Sequence, residues 1–292
     1  MHFLTSLLNH LNPSWQLSAT LCCVLLVVAL SVHVLRGPDV VRSFAREFAV
    51  VMALLGIWQY VGRFVRTHSV GAMHRALQVQ SLQNWLHLPN QLALQQAVLP
   101  HHWVIRVLNF YYAFAHLNGM TVFMVWVWWR RRESFRAVRN TVVFSTLIDL
   151  LLQAIPVTPP RLLPDAGYVD TALAYGQSVY GQYNTGLVAQ LTAMPSVHVG
   201  WAFIVAWYVA RLGRGPLRWL GCVHLVMTVL VVVITANHWW LDGIAAAAIA
   251  LVVLGAQAAL ANWLLRRSGP ARRESAGADL DGAQLPGQPS RV

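Results

Sequence analysis

Lysine is absent from this chain: all 21 basic residues among its 292 positions are arginine, and charged residues reach only 11% against 57% hydrophobic ones. A soluble domain carries roughly 25% charged residues, so the composition excludes a mostly water-facing protein and points to lipid as the solvent. Cysteine is scarce as well. Cys22, Cys23 and Cys222 lie in apolar runs and show neither a CxxC pair nor a Cys/His metal spacing, which removes disulfides and structural zinc from the expected architecture. No Lys or Arg precedes Leu17 and no small-residue cleavage site follows the first apolar run, so that run is expected to stay in the protein rather than act as a signal peptide. A net charge of +11 would suit nucleic acid, but the arginines stand in short stretches between apolar runs. Membrane topology accounts for them better, and nucleic acid is not an expected partner.

What the chain has in abundance is long uncharged sequence. Apolar runs predict seven spans at 17–35, 48–65, 103–129, 137–156, 194–211, 217–236 and 239–264, each near the ~20 residues that cross hydrocarbon. Between Thr67 and His102, Gln, Asn and His alternate with Leu and Val around Leu77, Leu82, Trp85 and Leu86, the pattern of a helix lying along the membrane surface. The expected fold is an all-α polytopic transmembrane bundle of six to seven spans with one interfacial helix. Its expected parts are 1–102 for the N-terminal spans and interfacial helix, 103–265 for the catalytic bundle, and 266–292 for a disordered tail poor in large apolar residues.

Sixteen arginines fall on one side of these spans, and only Arg63, Arg66, Arg75, Arg106 and Arg161 on the other. The positive-inside rule then places the N-terminus outside and the C-terminus in the cytoplasm. A multi-pass plasma-membrane protein follows as the expectation.

Three polar islands interrupt the apolar pattern: Thr158 to Pro164 around Arg161, Ala193 to His198, and Thr235 to Asp242. All three fall at span ends on the extracytoplasmic side. His238 and Asp242 are four residues apart and share a helix face. A carboxylate can there fix the tautomer of an imidazole and stabilise its charge after it attacks phosphorus; a helix cap at a membrane boundary is the plainer alternative. Pro195 and Ser196 open a span whose exposed amides favour an anion, and His198, one turn inside, can protonate a leaving oxygen. An ordinary helix start with an interfacial histidine remains the other reading. Arg161 can clamp phosphate oxygens with a two-pronged guanidinium, or snorkel at the boundary.

Pro-Ser-Val-His at 195–198, His-x-x-x-Asp at 238–242 and the upstream arginine–proline island together resemble the three signatures of the type-2 phosphatidic acid phosphatase superfamily. The resemblance covers roughly residues 103–264. It implies a metal-independent, cofactor-free reaction through a phosphohistidine, with His238 as nucleophile, Asp242 orienting it, and His198 as acid and later base. Arg161, Ser196 and Asn237 are the implied substrate-binding set. Two departures stand out. Val231 and Val232 occupy the places of a Ser-Arg pair, and Ala154 the place of a lysine. With Met-Pro-Ser-Val-His and Ala-Asn-His, these make the chain more similar to the inositol-phosphorylceramide synthase branch, which transfers a phosphorylated head group between lipids. The expected partner is a membrane lipid substrate, with water as an alternative acceptor that would make the enzyme a lipid phosphatase.

Other polar residues at depth, His116, Asn118 and Asp149, are expected to face the bundle interior or a cavity, where they can pair with one another, and to support the floor of the pocket rather than act in catalysis. His116, Asp149, His198 and His238 would also form the proton or ion path of an ion-coupled transporter, against which stand the gathering of all three islands at one face and the lack of repeat symmetry. Asp165, Tyr168, Asp170, Tyr175, Tyr180, Tyr183 and Asn184 in the loop 157–193 suit a polar head group, or a structural cover over the bundle.

Overall fold

The computed structural model describes residues 14–67, 69–177 and 190–267. Among them the helices are α1 Trp15–Val34, α2 Asp39–Thr67, α3 Ala72–Trp85, α4 Gln91–Val98, α5 His102–Arg130, α6 Arg132–Leu152, the short α7 Thr171–Ala174, α8 Val197–Leu212, α9 Leu217–Ile234 and α10 Trp240–Arg267. A 3₁₀ turn at Pro160–Leu162 and one parallel bridge between Val157 and Thr192 complete the regular structure of these residues. The all-α class expected from the periodicity is therefore present. Each of the seven expected spans contains a helix, and four stretches, Trp15–Val34, Asp39–Val65, Leu217–Ile234 and Trp240–Leu264, are long and apolar enough to cross a membrane, while Val197–Leu212 is a shorter apolar helix. Inside α10 the chain divides after Ala250 into a second unit beginning at Leu251; all that follows concerns the first. Most of the expected tail, from residue 268, lies outside the described residues, as do Tyr180, Tyr183 and Asn184.

α1 and α2 form an antiparallel hairpin turned at Arg36, Gly37 and Pro38, with Trp15 meeting Tyr60 edge-on at 5.6 Å and Ser18 against Gly56. α8 is the central strut. It packs on α5, α6 and α9, and the core between them is filled by Met120, Phe123 and Val127 of α5, Val138 and Val142 of α6, and Ile204, Val205 and Val209 of α8. Gly221 lets α9 come close. A Cβ there would stand 2.9 Å from the Ala206 backbone and 3.1 Å from Val209, so a small residue at this crossing sets the helix spacing, as is common in membrane bundles.

The stretch read as one surface helix differs from expectation. His87, at φ 54°, and Pro89 break it into α3 and α4, because the left-handed residue and the proline end one helix before the next begins. Its polar residues also turn inward: Gln83, Gln91 and Gln95 are buried. They satisfy backbone groups that the end of α9 and the start of α10 leave without helical partners.

Candidate active site

The three islands meet, and backbone hydrogen bonds stitch them. Val157 N–H donates to Leu191 O at 2.8 Å, Arg161 N–H to Ala236 O at 3.0 Å, and Ser196 N–H to Asp242 O at 3.0 Å. Beneath them, Ala76 of α3, Val157, Leu163, Ala193 and Trp239 form a small apolar core of their own. Trp239 Nε1 donates to Thr158 O at 3.0 Å, locking the third island to the first. Tyr168 stands edge-on to Trp239 at 6.3 Å, and its burial raises the phenol above its ordinary pKa. It is therefore a neutral hydroxyl at physiological pH.

His238 follows directly on the end of α9. That end is a Schellman arrangement in which Asn237 N–H donates to Val232 O and Ala236 N–H to Val233 O, both at 3.0 Å, with Ala236 at φ 54°. Glycine is the usual occupant of this left-handed position, so alanine stores a small strain, about 1 kcal/mol, beside the histidine. From this turn His238 Nδ1 reaches Ala193 O at 2.7 Å. A carbonyl only accepts, so Nδ1 carries the proton and Nε2 holds the free lone pair.

Asp242, fully buried, accepts the Trp239 N–H through Oδ2 at 2.8 Å, and the same oxygen stands 3.4 Å from His238 Nδ1. The direct partner of the ring is thus a backbone carbonyl, with the carboxylate just behind it. Gln91 Nε2 donates to the carbonyls of His238 at 2.8 Å and Val233 at 3.0 Å, and Gln83 Oε1 accepts from Leu241 N–H at 3.2 Å. The turn is held from α3 and α4 as well as from its own helices.

His198 lies 5.5 Å from His238, ring centre to ring centre. A single phosphate can touch both rings at that spacing. His198 is itself sandwiched: Tyr112 stacks on it at 4.4 Å and His116 lies over it at 4.1 Å, and His116 in turn stacks on Trp201 at 4.6 Å. Tyr112 and His116 are one turn apart on α5, and His198 and Trp201 one turn apart on α8, so the four rings interleave like teeth. Trp201 Nε1 donates to Thr146 Oγ1 at 2.8 Å, which anchors the end of the stack on α6. Ser196 caps α8, its oxygen accepting from Val199 N–H at 3.4 Å; that use takes a lone pair and not the hydroxyl proton.

Arg161 is 7% exposed, and its guanidinium donates to Asn237 Oδ1 at 2.8 Å, Asp170 Oδ2 at 2.5 Å and Gln190 Oε1 at 2.6 Å. Asn237 passes the linkage on, its Nδ2 donating to Thr235 Oγ1 at 2.8 Å. Asp170 is itself fixed, since Oδ1 caps α7 through Leu173 N–H at 3.0 Å. Val169 before it is bracketed by Gln95, which accepts its N–H at 2.9 Å and donates to its carbonyl and to Ile234 O at 3.0 Å. Val231 and Val232 are buried, so neither adds charge to this place.

The pairing open to His116, Asn118 and Asp149 does not form. His116 belongs to the ring stack, Asn118 is exposed and donates to Phe114 O in its own helix, and both carboxylate oxygens of Asp149 lack a hydrogen-bond partner. Asp149 Oδ2 would lie 3.3 Å from a Cβ added at Gly200, so the glycine makes room for it. The residues that sequence reasoning missed are the ones that support others: Gln83, Gln91, Gln95, Tyr112, Trp201 and Gln190. The glutamines gave a signal in their spacing, with Gln91 and Gln95 one helical turn apart on a single face.

No curated protein and no solved structure matches this chain. One family does. The PAP2 superfamily matches residues 77–256, a stretch that opens in α3, whose Gln83 supports the His238 turn, and closes beyond Asp242. Covering more than half of the 292 residues, it establishes that the chain belongs to the PAP2 superfamily and is a phosphatase-type enzyme.

Proposed function

We propose that this protein is an integral membrane enzyme that moves a phosphoryl group of a lipid phosphate or phosphodiester through a phosphohistidine on His238, as a head-group transferase of the inositol-phosphate kind. The observation that carries the reading is the 5.5 Å approach of His198 to His238, together with the Nδ1 proton held on Ala193 O. The Nε2 lone pair of His238 bonds to phosphorus while the bond from phosphorus to the leaving oxygen breaks, and His198 gives that oxygen its proton. An acceptor hydroxyl then loses its proton to His198 as its oxygen attacks phosphorus. The P–N bond breaks, and both imidazoles return to their starting states. Asp242 stabilises the charge that His238 gains, and Ser196 O–H and the Arg161 side hold the non-bridging oxygens.

The charge around the phosphate supports a diester. Arg161 is paired with Asp170, and valines fill the positions of the family's extra arginine. A seat with little net positive charge favours a singly charged phosphodiester over a doubly charged monoester. Arginine placement supports an extracytoplasmic site and a cytoplasmic C-terminus, and the membrane we propose is the plasma membrane. Water as acceptor would give a lipid phosphatase by the same first step. Incubating the purified protein with labelled phosphoinositides and labelled phosphatidate, with and without alcohol acceptors, separates the two. New phosphodiester lipid formed only with an acceptor supports transfer, whereas free phosphate from the monoester regardless of acceptor rejects it.

A further inference from the structure

α2 and α6 bound an open groove of about 420 Å³ lined by Arg46 and Val50 on one side and Arg136, Arg139, Val143 and Phe144 on the other. Arg139 and Gln153 are separated by 14 positions, or about 20 Å of helix rise, so this groove lies well away from the islands, where Gln153 donates to Pro195 O at 2.9 Å. The groove changes character along its length. On α2 the arginine at 46 is followed one turn later by Val50; on α6 the arginines at 136 and 139 are followed by Val143 and Phe144, two turns beyond the first of them. Both walls therefore pass from cationic to apolar in the same direction. Phe144 is half exposed, leaving the apolar end open to the side of the bundle.

The cationic end is not neutralised by its own neighbours. Glu47 is the carboxylate present, 2.5 Å from Arg139 and 3.6 Å from Arg46, and Arg139 also donates to Asn140 Oδ1 at 2.8 Å. Arg136 adds a further exposed cation. A smaller adjoining cavity of about 200 Å³ shares Arg46, Arg136 and Arg139 and brings in Arg132 and Ser43. One carboxylate thus faces four guanidiniums.

We propose that this groove is a binding site for an anionic phospholipid. Its head-group phosphate sits among Arg46, Arg136 and Arg139, and the first part of an acyl chain lies along Val50, Val143 and Phe144. Guanidiniums receive phosphate oxygens in pairs, and a basic pocket between spans is the kind of place where lipid head groups dock. The apolar continuation selects a lipid over a soluble phosphate, because a small anion leaves that wall unused. The inference is independent of the chemistry at His238.

The test is thermal unfolding of the full-length protein in phosphatidylcholine micelles, alone or with phosphatidylglycerol or sn-glycerol 3-phosphate added. Phosphatidylglycerol should raise the melting midpoint by several degrees, as a ligand of the folded state does, and glycerol phosphate should not. The double variant Arg46→Gln/Arg136→Gln should lose most of that rise. No rise with phosphatidylglycerol, or an equal rise in the variant, overturns the proposal, and an equal rise with glycerol phosphate overturns it in favour of a soluble anion. The unaltered protein gives a second reading that needs no variant. Native mass spectrometry from mixed micelles should retain phosphatidylglycerol in preference to phosphatidylcholine, and equal retention overturns the site.

Discussion

At the scale of single residues, the two imidazoles of the candidate site are held in fixed attitudes by different means. His238 is held by a carbonyl and a carboxylate on one nitrogen; His198 is held by faces, between Tyr112 and His116. If stacking is what His116 contributes, its ring matters and its nitrogens do not. His116→Ala should lower kcat about tenfold, the scale of ~1.4 kcal/mol in positioning, with KM within about twofold. His116→Phe should recover most of the rate. A phenylalanine variant as slow as the alanine one in a steady-state assay would instead assign the nitrogens a part in proton movement. The Arg161–Asp170 pair makes a second prediction. Asp170→Asn keeps the α7 cap, since asparagine caps as well as aspartate, but removes the charge beside Arg161. The ratio of monoester to diester kcat/KM should rise about tenfold, and an unchanged ratio would remove Asp170 from substrate selection. Histidine and aspartate positions were legible in the sequence because titratable groups inside apolar runs stand out. The carbonyl of Ala193, which fixes the His238 tautomer, was not, since every residue carries one and only the fold decides which is aimed.

At the scale of elements, the long helices could be read from their apolar length, and their ends from prolines and arginines. The short helices α3 and α4 could not be placed, because a glutamine facing lipid head groups and a glutamine facing a buried carbonyl look alike in sequence. Their inward faces answer a definite need: at the turn from α9 to α10, Gln91 and Gln95 satisfy the carbonyls of His238 and Ile234, and Gln91 adds a second donor to Val233 O beside Ala236 N–H. Gln91→Leu keeps the approximate volume and removes the donor to the buried His238 carbonyl, while Val233 O keeps Ala236 N–H. A loss of about 1–3 kcal/mol is expected, seen as a lower unfolding midpoint in detergent, together with a reduced kcat because His238 sits on the same turn. An unaltered midpoint would mean that α4 only covers the site.

At the scale of the whole molecule, the three islands meet at one end because consecutive long helices reverse direction. The proposed orientation, with the arginine-rich side in the cytoplasm, predicts that a cysteine introduced by Leu173→Cys on α7, beside the site, reacts with an impermeant maleimide on intact cells. One introduced by Arg214→Cys, in the turn between α8 and α9, should react only after permeabilisation. The opposite pattern would reverse the orientation and place the chemistry on the cytoplasmic face. Membership of the PAP2 superfamily was legible from two histidine motifs in the right order. The acceptor was not, because water and a lipid hydroxyl would approach the proposed phosphohistidine through the same motif residues. The most direct measurement of the central claim is rapid quenching of the enzyme during turnover of a phosphorus-labelled lipid, followed by mapping of protein-bound label. The account predicts acid-labile, base-stable label on the peptide containing His238, absent in His238→Ala, which should also lose turnover by several orders of magnitude. Label that persists in His238→Ala, or turnover near the unaltered rate in that variant, would contradict it.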